Sequence, residues 1–117
     1  MRHRKAKNRL SKPSDQRRAL LRSLTTELFR HGRIITTEAR AKEVRGQVER
    51  MITLAKQGTL ASRRRIIAEL PDEPLVIDKL INEIAPKYGD RSSGYTRVIH
   101  IGNRAGDAAP IVQLELV

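Results

Sequence analysis

The chain has 117 residues, enough for one domain that buries roughly two-thirds of the surface its unfolded form exposes. It carries 24 Lys and Arg against 13 Asp and Glu, a formal net charge of +11, with 38% apolar residues, 3% aromatic ones and neither Cys nor Trp. Without Cys there is no disulfide framework, thiolate metal site or cysteine nucleophile; no apolar run approaches the ~18 residues of a membrane span; and the few aromatics require an aliphatic core.

The first twelve residues, MRHRKAKNRLSK, hold six Lys or Arg, no acid and one large aliphatic residue, Leu10. Such a stretch has nothing to bury, so residues 1–12 are read as a basic extension and 13–117 as a single α+β domain. The extension lacks the apolar segment of a signal peptide. Ser14 can cap a first helix, with Asp15 in its first turn, Leu20, Leu21, Leu24 and Leu28 at helical spacing and Gly32 as its stop. RIITT, 33–37, is β-branched and reads as a short strand. Thr36 or Thr37 can cap a second helix that ends at Gly58, with Ala41, Val44, Val48, Met51, Ile52 and Ala55 on one stripe. Gly46 in its middle costs about 1 kcal/mol against Ala, and close packing of another element there is the expected reason. LASRRRIIAEL makes a third helix stopped by Pro71. A fourth begins near Pro74, turns Leu75, Val76, Leu80, Ile81 and Ile84 inward, and ends before Pro86. GYTRVIHIG and PIVQLELV alternate as strands do, with NRAGDAAP between them as a turn. The fold class is thus α+β: about four helices on a small mixed or antiparallel sheet, to which RIITT can add a third strand.

Charge divides the chain. Residues 1–65 hold 19 Lys and Arg against 5 acids, a net of +14, whereas residues 66–117 hold 5 against 8, a net of −3. One sign concentrated in half the chain is the electrostatic footprint of a nucleic-acid binder. Catalysis finds no constellation: His3, His31 and His100 have no metal-ligand spacing, and Asp72, Asp78 and Glu83 read as a solvated face rather than an acid–base pair. GNRAGD lacks the length and the Lys-Ser/Thr ending of a phosphate-binding loop. No enzyme activity, cofactor or metal is expected. The candidate RNA contacts are Arg2, His3, Arg4, Lys5, Lys7, Arg9 and Lys12 in the extension; Arg17, Arg18, Arg22, Arg33, Thr36, Thr37, Lys42 and Arg45 around the first two helices; and Arg63, Arg64, Tyr95, Arg97 and Arg104 beyond them. Scarce aromatics favour recognition of RNA shape and phosphate over base-stacking platforms. The competing class is a free nucleic-acid-binding protein of nucleoid or regulatory type, with the first two helices as its DNA-reading unit.

Three stretches carry a family resemblance: MRHR, LFRHGRIITTEARAKEVR and GYTRVIHIGNRAGDAAPIVQLELV, with APKYGDR before GYTR. Together they resemble ribosomal protein seventeen of the bacterial large subunit, the L-seventeen family, over nearly the whole chain. The resemblance implies an α+β protein set in large-subunit ribosomal RNA near the exit of the nascent-peptide tunnel, with neighbouring ribosomal proteins and no membrane or small-molecule partner. It also implies a cytoplasmic, ribosome-bound location, on a bacterial or an organellar ribosome, and a structural rather than catalytic role. Ser93 stands where the family usually has Gly, and AAPIV where it often carries Met.

The extension reading generates a first test. Replacing Arg4, Lys5 and Lys7 by Ala should weaken RNA binding and reduce its salt slope by up to about three units, with each phosphate contact supplying just under one. Thermal melting of the chain should barely move. An unchanged slope would remove these three side chains from the contact set.

Overall fold

The computed structural model describes residues 14–117. Helix α1 spans Ser14–His31, with Asp15 in its first turn and Arg30 and His31 in its last, matching the helix dipole at both ends. Ser14 is already helical rather than capping. Gly32 closes α1 at φ 82°, its N–H donating to the Leu28 carbonyl at 2.7 Å. Strand β1 follows as Arg33–Thr37, and α2 as Glu38–Gln57, ended by Gly58 in the left-handed conformation. Thr37 occupies the N-cap position of α2, but its side chain makes no capping bond.

Helix α3, Leu60–Glu69, is fixed at its start by a reciprocal pair: Thr59 Oγ1 accepts from the Ser62 N–H and Ser62 Oγ from the Thr59 N–H, each at 3.1 Å. The next rod is composite. It starts as α4, Pro74–Lys79, widens into a π turn over Leu80–Ile84, and ends as α5, Ala85–Lys87. The expected stop before Pro86 is therefore corrected: Pro86 lies within the last helical turn. Proline's ring obstructs the carbonyl four residues earlier. Here the Ala85 N–H donates back to Leu80, five residues away, so the ladder is already out of α register where the ring arrives. The expected inward set also changes. Leu75 is 82% exposed, because the apolar line of the rod runs through Val76, Ile77, Leu80 and Ile84 and leaves the second residue of its first turn facing out.

Strands β2, Thr96–Asn103, and β3, Pro110–Leu116, complete an antiparallel sheet in the order β1-β3-β2. β3 is central, pairing Ile35 with Gln113 on one side and Ile99 with Gln113 on the other, and a bulge shifts the register between His100 and Gly102. One sheet face lays Val112 and Leu114 on the helices, with Ile34, Val98 and Leu116 packed around them. The other carries Arg33, Ile35, Arg97, Ile99 and Ile101 outward, and the three isoleucines are 66%, 42% and 54% exposed.

The core is aliphatic, as the composition requires. Val44, Val48 and Ile52 of α2 are fully enclosed with Leu28, Ile66, Leu80 and Leu114. Tyr95 was expected on the strand as an RNA contact beside Arg97. It instead precedes β2 and is completely buried, its ring 5.3 Å from that of Tyr88 and tilted by 55°. Burial would raise the pKa of its hydroxyl, but hydrogen bonds with Thr53 and with Lys56 and the positive charge of Lys56 outweigh it, and the net shift is downward. Phe29 and Tyr88 are buried as well, so every aromatic residue of the chain is internal.

A polar stripe of α2 holds the entry to β2. Glu49 accepts from the Gly94 N–H at 3.1 Å, the Thr96 N–H at 3.0 Å and the Thr96 hydroxyl at 2.8 Å. One and two turns further along, Thr53 lies 3.3 Å from the Tyr95 hydroxyl and Lys56 donates to it at 3.1 Å; Lys56 also reaches the Arg91 carbonyl. The loop needs one left-handed residue, and Gly94 supplies it at φ 72°. Ser93 carries no positive φ, so a side chain is accepted there without backbone strain.

Removing the Glu49 carboxylate strands two donors of Thr96, a residue only 3% exposed. Glu49→Ala should therefore cost about 2 kcal/mol, within the range for losing charge-assisted bonds to buried donors. Urea unfolding should show a lower midpoint with an unchanged slope, and Glu49→Gln should lose less. A midpoint equal to wild type would show that the loop is held by its apolar contacts alone.

Candidate nucleic-acid interface

The N-terminal half of α1 stands away from α2 and α3, leaving a groove of about 760 Å³. Its floor is apolar, from Leu21 of α1 and Met51 and Leu54 of α2, with Gly46 beside them. Cations line it from all three helices: Arg17, Arg18 and Arg22 from α1, Lys42 and Arg50 from α2, and Arg65 from α3. Glu43, Gln47 and Glu69 are the other polar side chains of the α2 and α3 walls, and Gln47 donates to Glu69 at 3.4 Å. Six cations thus face two carboxylates.

The five arginines among these cations are not spent on ion pairs with other described residues. Arg17, Arg18, Arg22, Arg50 and Arg65 have no ion-pair partner among the described residues, whereas Lys42 reaches Glu38 at 3.3 Å across one helical turn. Pairs are found elsewhere. Arg30 bridges Glu27 at 2.8 Å and Glu73 at 3.1 Å, tying α1 to the turn before α4. Arg63 lies 3.5 Å from Asp78, and Arg97 lies 2.6 Å from Glu115. A surface pair contributes little to stability, but it does lower the net charge that its neighbourhood shows to an anion.

Of the residues singled out in the sequence, the groove collects Arg17, Arg18, Arg22 and Lys42. Arg45 and Arg64 are exposed cations outside its lining. Arg33 and Arg97 share one row of the outward sheet face, both opposite Glu115. Thr36 is buried and Thr37 half-buried at the start of α2, so Thr36 has no surface to offer RNA; nor has Tyr95. Arg2, His3, Arg4, Lys5, Lys7, Arg9 and Lys12 lie outside the described residues. Two groove cations, Arg50 and Arg65, were missing from the sequence reading. For Arg50 the signal was the series Lys42, Gly46, Arg50 at intervals of four, which places all three on one helical line. Arg65 is one of three adjacent arginines, and only the tertiary fold distinguishes the one that turns to α2.

Among the described residues no other element packs over Gly46. A Cβ built there would meet only the tip of Arg50, at 3.4 Å. The position opens on the groove.

The β2–β3 turn is closed within itself. Arg104 Nε and Nη2 donate to the two Asp107 oxygens at 3.1 and 2.6 Å, and Asp107 also accepts from the Ala109 N–H at 3.2 Å. Arg104, a candidate phosphate contact, is thus already engaged with a carboxylate. No group of three or more His, Cys, Asp or Glu side chains that could hold a metal ion occurs among the described residues, and no described helix is long and apolar enough to cross a membrane.

Fold and groove together define a class: a small basic α+β protein with unpaired cations on a helical face and its aromatic residues inside. Residues 20–117 match the family described as ribosomal protein L17. Among curated relatives, the large ribosomal subunit protein bL17 of Thermoanaerobacter sp. (strain X514) is 58% identical over 109 residues, covering 93% of this chain and 96% of the relative. Those of Caldanaerobacter subterraneus subsp. tengcongensis and Clostridium botulinum are 54% and 51% identical over the same shares. The chain belongs to the ribosomal protein L17 family.

The turn supplies a pH test. The Arg104 hydrogen bonds first, then the Ala109 N–H, lower the Asp107 pKa from 3.8 to about 2. A carboxylate with a depressed folded pKa favours the folded turn above its unfolded value of 3.8, and that contribution is lost as pH falls through about 2. A carboxyl-carbon NMR titration should give a midpoint of about 2 for Asp107, moving toward 3.8 in Arg104→Ala. A midpoint indifferent to Arg104→Ala would assign the shift to the backbone donor instead.

Proposed function

We propose that this chain is a non-enzymatic structural constituent of the large ribosomal subunit that binds and stabilises large-subunit ribosomal RNA. The observation that carries the reading is the groove between α1, α2 and α3, where five arginines from three helices converge without ion-pair partners among the described residues. Unpaired cations on a rigid surface release counterions when they meet phosphates, and that release supplies most of the electrostatic affinity for nucleic acid. Family membership supports the same assignment, since the relatives above carry large-subunit names. The basic extension, residues 1–12, adds six Lys and Arg to the charge available for RNA phosphates. On this reading the chain sits on the ribosome in the cytoplasm, with the tunnel-exit position that the family resemblance implies and with its outward sheet face turned to neighbouring ribosomal proteins.

A helix-turn-helix reader of duplex DNA is disfavoured by the connector. Such motifs join their helices by a turn of three or four residues, whereas α1 and α2 are separated by β1, a five-residue strand hydrogen-bonded along its length to β3.

Sedimentation of a gentle cell lysate through sucrose tests the assignment. The chain should travel with the large subunit and remain there after a high-salt wash that strips loosely held basic proteins. Recovery in free or DNA-bound fractions would overturn the ribosomal reading in favour of a free nucleic-acid-binding protein.

A further inference from the structure

We infer that the groove beside Gly46 receives an unpaired RNA nucleotide, its base on the apolar floor and its flanking phosphates on the arginine rim. This deepens the RNA-binding reading and rests on it. The argument begins with a glycine that folding does not ask for. Gly46 lies in the interior of a 20-residue helix, where only proline is a poorer choice. It has no positive φ, unlike Gly32, Gly58, Gly94 and Gly106. Nor does another element among the described residues pack closely on it: of their atoms a Cβ would touch only the movable end of the Arg50 guanidinium, at 3.4 Å. What a side chain at 46 would change is the free space of the groove it lines.

The groove's chemistry identifies the occupant. At about 760 Å³ it has the size of a small-molecule site rather than a broad saddle. A paired helix carries its phosphates outside and keeps its bases stacked, so it can ride on the rim without entering. An unpaired nucleotide can be splayed out, its base placed against apolar side chains or guanidinium planes. Leu21 and Leu54, both half-buried, provide such a floor over the buried Met51, in a protein that has buried all its aromatic residues. The acidic side of the groove points the same way. Glu69 would repel a phosphate, but a carboxylate accepts readily from the N–H groups on a base edge. The base therefore lies toward Gln47 and Glu69, and the phosphates toward Arg17, Arg18 and Arg50.

The test uses the full chain and deproteinised large-subunit ribosomal RNA, with equilibrium binding across a salt series and base-by-base chemical probing. Gly46→Ala should raise the melting temperature of the free protein by about 4 °C, since Ala is the better helix former and meets no fixed neighbour. Gly46→Gln should fold at least as stably as wild type. It should bind about tenfold more weakly with its salt slope unchanged, and should expose an unpaired base that wild type protects. Arg17→Ala and Arg50→Ala should each lower the slope by about one unit. Wild-type affinity and protection in Gly46→Gln, beside reduced slopes in the arginine variants, would overturn the nucleotide site and leave the RNA-binding reading standing. A lower melting temperature in Gly46→Ala would show that folding needs the glycine and would overturn the inference at its premise. Failure of wild type to bind the RNA would overturn both readings.

Discussion

Helix α2 is the element on which everything else is hung, because three different surfaces have to find their partner on it at once. At 20 residues it is about 30 Å long, close to the full 32 Å of the molecule's middle dimension. One stripe, Ala41 to Ala55, is buried in the core. A second, Glu49–Thr53–Lys56, grips the approach to β2 through side-chain hydrogen bonds. A third, Lys42–Gly46–Arg50, forms one wall of the groove. Each requirement uses a different angle of the same helical wheel, so the register of the helix cannot slip for one without failing the others. That is why the molecule can place a cationic face accurately without disulfides: the apolar stripe sets the rotation of α2, and the rotation sets where its cations point.

How much of this is legible in the sequence depends on which physical signal each feature leaves. Helix periodicity and strand alternation are local, so α1, α2, α3 and both strands of the β2–β3 hairpin could be read directly, with RIITT as the third strand. The π turn is not local. It sits where Pro86 arrives in the rod, with Leu80 and Ile84 packed in the core. The exposure of Leu75 and the burial of Ile77 are likewise set by which face of the rod meets the core. Tyr95 was misplaced for a related reason. A tyrosine ahead of an alternating run looks the same whether it faces solvent or core, and only the fold gives its hydroxyl partners inside, Lys56 of α2 and the Ser92 carbonyl. The groove was half legible. Arg17, Arg18, Arg22 and Lys42 announce themselves by density of charge, whereas Arg65 joins them only because α3 crosses α2 at that point.

The distribution of ion pairs separates two kinds of cation that composition counts alike. Arg30, Arg63, Arg97 and Arg104 each meet a carboxylate, and Arg30 and Arg97 do so between elements distant in sequence. These fasten the fold's outer joints and add little field. The groove arginines have no such partner among the described residues, and the mutual repulsion of clustered like charges is relieved when an anion arrives. Six cations against two carboxylates around one concavity leave it with a net positive charge suited to an anion.

The buried aromatics set the mode of recognition as firmly as the exposed arginines do. Single-strand readers generally stack bases on Phe, Tyr or Trp at the surface; here Phe29, Tyr88 and Tyr95 are committed to the core, and Tyr95 is further tied by its hydroxyl. Any base this chain touches must be met by aliphatic carbon and guanidinium, which grip an unstacked base less strongly than an aromatic ring would. Such a contact gains strength only where phosphate contacts have already positioned the strand. The arginine rim and the apolar floor thus depend on each other: the rim supplies affinity that ignores sequence, and the floor distinguishes a strand that can release a base from a duplex that cannot.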